Sequence, residues 1–429
     1  MLKQLFSLIL LCWVGLAQAG ISIEHWQTPV GTRVYLVRSP ALPILDLQLD
    51  FAAGAMFDPA DKAGLASLTH TLLDLGAGDL DETGVSNRLA DVGAKLAGSL
   101  DKDRASISLR TLTQADKRDV ALNVLEQVLH QPHFAAPVFE RERGRAVASL
   151  KDALTRPDTI AGRAFWSALY PDHPYGRLST PESLAALQPE DLRQFWLQHY
   201  NAANATLTLV GDITRAEAEA LALRLTAALP PGEPVRLPPP PAPAPARVLE
   251  LDYPASQAHI FLGMPAIARG DPDFFPLLVG NYTLGGGGFV SRLMQEVREK
   301  RGYAYSVYSY FSPMRQAGPF QIGLQTKKAQ AGEALQVVRR VLDEFLAQGP
   351  SAAELKAAKD NLIGSFPLRL DSNRNILEHA AMIGFYGLPL DYLDNYQARV
   401  QAVSAEDIRR AFARHLQPGQ LVTVTVRPQ

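Results

Sequence analysis

Leu45, Leu47, Leu49 and Phe51 alternate with polar residues, and Ile107 and Leu109 repeat the same two-residue period. That period predicts strands with one buried face. Elsewhere the spacing lengthens. Val120–Leu129 with its neighbours, and Phe139–Leu154, carry apolar residues at helical intervals. Strands and helices mix without a strict strand–helix–strand rhythm, so the expected class is α+β, a mixed sheet covered by helices on one face.

Two stretches look alike. Residues 187–199 lead into the alternating segment Ala205–Val210, and residues 403–415 lead into Leu421–Val426. Glu190, Asp191, Arg193 and His199 match Glu406, Asp407, Arg409 and His415 at one constant offset, which indicates an internal duplication. Ser404 with Asp407 resembles a capping box, and Pro189 suits a first helical turn. His199 and His415 are expected at helix ends, and their matched places argue for structure over chemistry. Between the copies, nine of the 31 prolines fall in PPGEPVRLPPPPAPAP, residues 230–245. Such a run favours extended, semi-rigid backbone and reads as a linker that spaces two halves. The expected organisation is 1–19 signal peptide, 20–229 first half, 230–246 linker and 247–429 second half.

The first 19 residues set the address. Lys3 precedes the apolar run Leu5–Leu16, which closes on Ala17-Gln18-Ala19, the pattern of a secretory signal cleaved near Ala19. The run is shorter than the roughly 20 residues a spanning helix needs, so the expected location is periplasmic or secreted. Leu11 is a poor residue before a lipid-modified Cys12. Composition then narrows the chemistry. The chain has 429 residues, 47% hydrophobic and 20% charged, with 42 basic and 44 acidic side chains. This excludes a disordered chain, and a charge of −2 gives no hint of a nucleic-acid partner. Cys12 is the only cysteine, so disulfide frameworks and cysteine zinc clusters are excluded. A transition metal would need histidines and carboxylates.

The segment GAMFDPADKAGLASLTHTL, residues 54–72, resembles the pitrilysin/insulinase-type zinc peptidases, which include mitochondrial processing peptidase and many two-half bacterial proteins. That family carries H-x-x-E-H here, two histidines one turn apart binding zinc and a glutamate activating its water. The matching positions hold Ser67, His70 and Thr71. A third ligand, a glutamate eight residues before Pro157, falls on Ser149. Serine and threonine hydroxyls are poor zinc ligands, so the resemblance implies that this chain binds no zinc. A residual site at His70 and Asp74 is the disfavoured alternative.

The block LGGGGFVSRLMQEVREKRGYAYSV, residues 284–307, resembles the second-half signature of the same family. There an arginine and a tyrosine bind substrate backbone across from the zinc, and they fall on Arg298 and Tyr305. Both can donate to a peptide carbonyl or a developing oxyanion. The bland readings are a solvated basic helix end for Arg298, Lys300 and Arg301, and ordinary strand aromatics for Tyr303, Tyr305, Tyr308 and Tyr310. The glycines complete no phosphate-binding fingerprint. Asn375 through His379 misses an inverted zinc motif by one residue and reads as helix surface. Ser67 with His70 lacks an orienting acid for serine hydrolysis. His173-Pro-Tyr-Gly176 resembles a structural motif of the family's first half.

The resemblance spans nearly the whole chain after residue 19 and implies two homologous halves arranged as a clamshell around a peptide chamber. It implies a non-zinc-binding subunit of a heterodimeric zinc metallopeptidase, with zinc and base on a homologous partner and peptide or unfolded polypeptide as substrate. The alternative is a catalytically inactive peptide-binding or structural protein of the same fold.

Overall fold

The computed structural model describes residues 21–243 and 245–427, so the expected signal segment and Cys12 lie outside the described residues. Two sheets organise the chain. In the first, the spatial order is Lys95–Leu100, Ala105–Leu112, Ile44–Phe51, Ala205–Gly211, Arg33–Arg38 and Glu24–Gln27. In the second it is Ala304–Phe311, Gly318–Thr326, Ala258–Ile267, Val422–Arg427 and Arg247–Asp252. Strand for strand the order repeats, including one parallel pair in each sheet, Arg33–Arg38 on Ala205–Gly211 and Arg247–Asp252 on Val422–Arg427. The first sheet adds the edge strand Glu24–Gln27. A mixed α+β fold of two topologically equivalent halves is therefore the architecture.

The matched helices form where the sequence places them, at Pro189–His199 and Ala405–His415, each opened by a capping box. Both histidines end their helices, and each directs Nδ1 at a main-chain carbonyl, His199 at Ala52 (3.2 Å) and His415 at Ala266 (2.9 Å). A carbonyl only accepts, so both rings donate from Nδ1.

The strands depart from expectation in one respect. Thr206 and Thr208 are as buried as Leu207 and Leu209, with which they alternate, and Thr423 is buried between Val422 and Val424. The inner strands of each sheet are covered on both faces rather than one, because the halves exchange helices. Pro157–Leu169 of the first half lies on Ala258–Ile267 and Val422–Arg427, and Asn373–Tyr386 of the second half lies on Arg33–Arg38, Ile44–Phe51 and Ala205–Gly211. On Arg33–Arg38, Val34 and Leu36 join the first core while Tyr35 and Val37 join the second. The close approach uses glycine: a Cβ on Gly384 would lie 2.7 Å from the Tyr35 ring. The segment Asn375–His379 is thus part of an interface, with Leu377 buried, and not simply helix surface.

Direct packing, not the proline run, sets the spacing of the halves. Met56, Phe165, Leu169, Tyr170 and Tyr175 bury against Met314, Val422 and Val424. The linker is itself pinned: Val235 N–H donates to Asn204 Oδ1 (2.8 Å) and Gln316 Nε2 donates to Pro238 O (2.5 Å). No helix among the described residues is long and apolar enough to cross a membrane.

His199 carries a pH signature. Burial pushes its pKa down to about 4, with the Ala52 carbonyl opposing. Between pH 6.5 and about 4 the unfolded chain takes up the proton that the native ring refuses, so stability falls as pH falls. The expected loss is about 3 kcal/mol across that window. Urea denaturation of the protein and of His199→Asn should show a shallower acid loss in the variant; parallel curves would contradict the assignment.

Candidate functional site

The helix bearing the degenerate motif, Leu65–Leu72, starts after Gly64, which adopts φ +104°. Asp58 caps it through the N–H groups of Gly64 and Ala66, both at 2.7 Å. On this helix Ser67 and Thr71 are exposed, and the Thr71 hydroxyl donates back to the Ser67 carbonyl (2.9 Å). His70 is half-buried and places Nε2 3.0 Å from the Ser106 carbonyl, which makes that nitrogen a donor. Ser149 is exposed on the neighbouring helix Ala136–Ala153. The four positions offer three hydroxyls and one imidazole already committed at Nε2. This donor set does not fit zinc. Asp74 lies near enough to feel His70, and its own pKa is raised, chiefly by burial.

In the second half, the topologically equivalent stretch between its long strands holds the glycine block. Phe274–Asn281 runs on into a wide turn, Tyr282–Gly286, then a short turn at Gly288–Val290 and a wide helical turn over Met294–Glu299. The chain reverses at Gly302 (φ +63°), where Gly302 N–H reaches Arg298 O (2.8 Å) and Tyr303 N–H reaches Val297 O (3.0 Å). It then enters Ala304–Phe311, the edge strand of its sheet. The pairing shifts between Ala304 and Val307, and that irregularity leaves Tyr305 and Ser306 both exposed. Tyr305 is 85% exposed.

Pairing separates the three basic residues of this helix end. Lys300 and Arg301 both close on Glu296, at 2.5 and 2.7 Å. They hold the Glu296 carboxyl below its ordinary range, the Lys300 hydrogen bond contributing most. Arg298 stands apart. Its nearest carboxylate, Glu299, is at 3.7 Å, and its guanidinium lies 4.7 Å from the Phe289 ring centre and 5.0 Å from that of Tyr305. A guanidinium that lies near two rings keeps N–H donors available at the edge of its plane. The groove here also takes in Tyr308 and Tyr310, whose rings stack at 5.9 Å.

Sequence reasoning missed two parts of this arrangement. Phe289, immediately after the glycines, is 66% exposed and forms the second wall around Arg298. Beneath, Asn281 and Ser309 are buried and exchange hydrogen bonds, Asn281 Nδ2 to Ser309 O (3.0 Å) and Ser309 Oγ to Asn281 Oδ1 (2.6 Å). This clamp ties the glycine turn to the tyrosine strand, and no periodicity marks it. A Cβ on Gly285 would meet Ser309 Oγ at 2.5 Å. Gly285→Ala is accordingly expected to cost about 2 kcal/mol by overpacking. Gly364→Ala, in an open helix interior, is expected to gain a few tenths. Thermal unfolding of the pair checks both signs.

One further cluster, Asp271, Asp273 and His415, has its ligand atoms within 4.8 Å of one another. Arg414 already pairs with Asp273 (2.6 Å), and His415 Nε2 meets it at 3.0 Å. The cluster reads as an ion-pair network.

Comparison with known proteins places this geometry. The family defined as Insulinase (Peptidase family M16) matches residues 33–180, and Peptidase M16 inactive domain matches residues 186–362. The crystal structure of a peptidase M16 inactive domain from Pseudomonas fluorescens is 36% identical, superposes with a TM-score of 0.92, and covers 95% of this chain and 98% of its own.

The chain belongs to peptidase family M16.

Among M16 relatives, the non-peptidase homolog YmxG of Helicobacter pylori is 27% identical over 99% of this chain and 98% of its own length. An uncharacterized zinc protease of Streptomyces coelicolor is 25% identical over 90% of this chain and 86% of its own. Within the M16 fold of this chain, the first half exposes the hydroxyls of Ser67, Thr71 and Ser149, and the second half brings Arg298, on the helical turn Met294–Glu299, close to Tyr305 on the edge strand Ala304–Phe311.

Proposed function

We propose that this chain is the non-zinc-binding subunit of a two-chain M16 peptidase. It supplies Arg298 and Tyr305 to hold an extended peptide against a zinc site on a homologous partner. The observation that carries the reading is the state of Arg298, whose nearest carboxylate, Glu299, is 3.7 Å away and whose guanidinium lies near both the Phe289 and Tyr305 rings beside an exposed strand edge. An arginine bridged as closely as Arg301 is to Glu296 (2.7 Å) would have to give up its partner to bind a carbonyl; the Glu299 contact of Arg298, at 3.7 Å, is too long for a hydrogen bond. The hydroxyl set at residues 67, 71 and 149 supports the other half of the reading, that zinc and the activating glutamate come from elsewhere. Two relatives, the non-peptidase homolog of Helicobacter pylori and the peptidase M16 inactive domain of Pseudomonas fluorescens, agree with it. The signal-like residues 1–19 support a periplasmic or secreted location for this chain.

Guanidinium and phenol donors would bind the substrate carbonyl and strengthen as negative charge develops on it. The peptide's main chain is the recognised element, because these donors read carbonyls rather than side chains.

Co-purification from native extract, with metal analysis of each component, tests the proposal. The expected result is a complex with an H-x-x-E-H chain that carries the zinc and cleaves peptides, while this chain alone does neither. Stoichiometric zinc and peptide hydrolysis in the isolated chain would overturn it. A zinc-free complex without hydrolysis would favour the alternative, a peptide-binding or assembly protein.

A further inference from the structure

We propose that the peptide held at Arg298 is chosen by a bulky apolar side chain, which docks on the paired rings of Tyr308 and Tyr310. The selection presupposes that Arg298 holds a peptide, as read above, and adds the class of substrate. The groove beside Arg298 measures about 520 Å³ and is bounded by Phe289, Met294, Arg298, Tyr305, Tyr308 and Tyr310. That volume suits one large side chain and its flanking main chain.

The strand places the rings. Tyr308 and Tyr310 are two residues apart in Ala304–Phe311 and so share one face of the sheet. Their rings lie 5.9 Å apart and 8° from parallel, opposite Gly323 and Gln321 of the neighbouring strand. Glycine is needed there: a Cβ on Gly323 would meet the Tyr308 hydroxyl at 2.5 Å. The crossing helix Pro157–Leu169 packs on the inner strands Ala258–Ile267 and Val422–Arg427, so the tyrosines at the edge stay 38% and 39% exposed. Arg156 and Asp158, where that helix begins, border Tyr308 with opposite charges that offset one another.

The lining decides the chemistry. Arg298 is the only charged residue among those bounding the groove, and no carboxylate lines it. A lysine or arginine side chain entering would meet a like charge and no counter-ion. An acidic side chain would compete with the substrate carbonyl for the donors of Arg298. An apolar side chain leaves those donors to the main chain and covers tyrosine faces that water now touches.

The duplication supplies a comparison. At the equivalent edge of the first sheet, Lys95–Leu100 carries no aromatic residue. Ala97 and Ser99 are exposed there, opposite Ser108 and Ser106. A sheet edge of this topology therefore folds without rings, and the strand does not require the tyrosines of the second half. Exposed aromatic rings grouped in one place mark a contact surface.

The test titrates the full protein with blocked pentapeptides, acetyl-Gly-Gly-X-Gly-Gly-amide with X as Phe, Gly, Lys or Glu, and follows the Arg298 Nε–H resonance. The Phe peptide is expected to bind roughly tenfold more tightly than the Gly and Lys peptides. Tyr310→Ala should bring the Phe and Gly peptides within about twofold of each other, whereas Tyr310→Phe, which keeps the ring, should retain the preference. Equal binding of the Phe, Gly and Lys peptides, with the Arg298 resonance still shifting, would overturn the proposal. It would leave the peptide-holding reading in place and assign the rings to contact with the partner chain. Tightest binding of the Glu peptide would overturn the proposal as well. No shift with any peptide would overturn both readings. The wild-type series decides the matter even if a variant does not fold.

Discussion

Asp103→Ala is expected to lower the unfolding free energy by about 4 kcal/mol. Asp103 sits at the turn between Lys95–Leu100 and Ala105–Leu112, 1% exposed, and three donors from distant segments converge on it. Tyr175 O–H donates to Oδ1 at 2.5 Å, while Arg315 N–H and Tyr386 O–H donate to Oδ2 at 2.8 and 2.9 Å. Burial first, and the Asp103 charge second, push both phenols well above their ordinary range, so they remain donors throughout the accessible pH. Truncation leaves three buried donors without an acceptor, each costing about 1–3 kcal/mol, partly recovered by relaxation and water. Asp103→Asn keeps one carbonyl oxygen and is expected to lose about half as much. Urea denaturation measures both. Because Tyr175 belongs to the first half and Arg315 and Tyr386 to the second, the alanine variant should also separate the transitions seen by different probes. A loss under about 1 kcal/mol would mean that the network contributes little beyond packing.

Arg298→Ala or Tyr305→Ala is expected to lower kcat/KM of the proposed two-chain enzyme, once reconstituted, by about 10²–10³-fold, as removal of one oxyanion-type donor does. Neither change should affect folding, since Tyr305 is 85% exposed and Arg298 makes no close ion pair. The double variant should lose less than the product of the two effects, because the ring and the guanidinium touch one another. Arg298→Lys should recover little: an ammonium neither stacks as a plane nor presents a fork of donors. Peptide turnover at saturating and at limiting substrate separates a binding loss from a loss in the chemical step. Unchanged turnover in both single variants would remove these residues from the mechanism.

Much of the fold was legible along the chain. Alternation at Leu45–Phe51 marked a central strand, and the repeated Glu-Asp-x-Arg pattern marked equivalent helix–strand units in both halves. Covering of the second face was not legible. Thr206, Thr208 and Thr423 read as a solvent face because threonine tolerates both settings, and their burial depends on helices more than 40 residues away or in the other half. The proline run read as a spacer from its own stiffness, whereas the halves meet through side chains outside it.

The site divides in the same way. That Ser67, Thr71 and Ser149 cannot make a zinc site followed from residue type alone, since a hydroxyl is a poor zinc ligand in any fold. Which of Arg298, Lys300 and Arg301 is available did not follow, because all three are arginine or lysine on one helix end. Glu296 claims two of them, and the third lies between Phe289 and Tyr305. His199 and His415 likewise occupy matched positions and were indistinguishable in the chain, yet only one meets a carboxylate. The duplicated α+β scaffold and the hydroxyl chemistry of Ser67, Thr71 and Ser149 were legible in the chain, because period and ligand chemistry are local properties of the residues. Which strand faces are dry, which basic residue of the helix end escapes Glu296 and which imidazole meets a carboxylate came only from the folded contacts, because each depends on how side chains meet in space and not on the residue pattern along the chain.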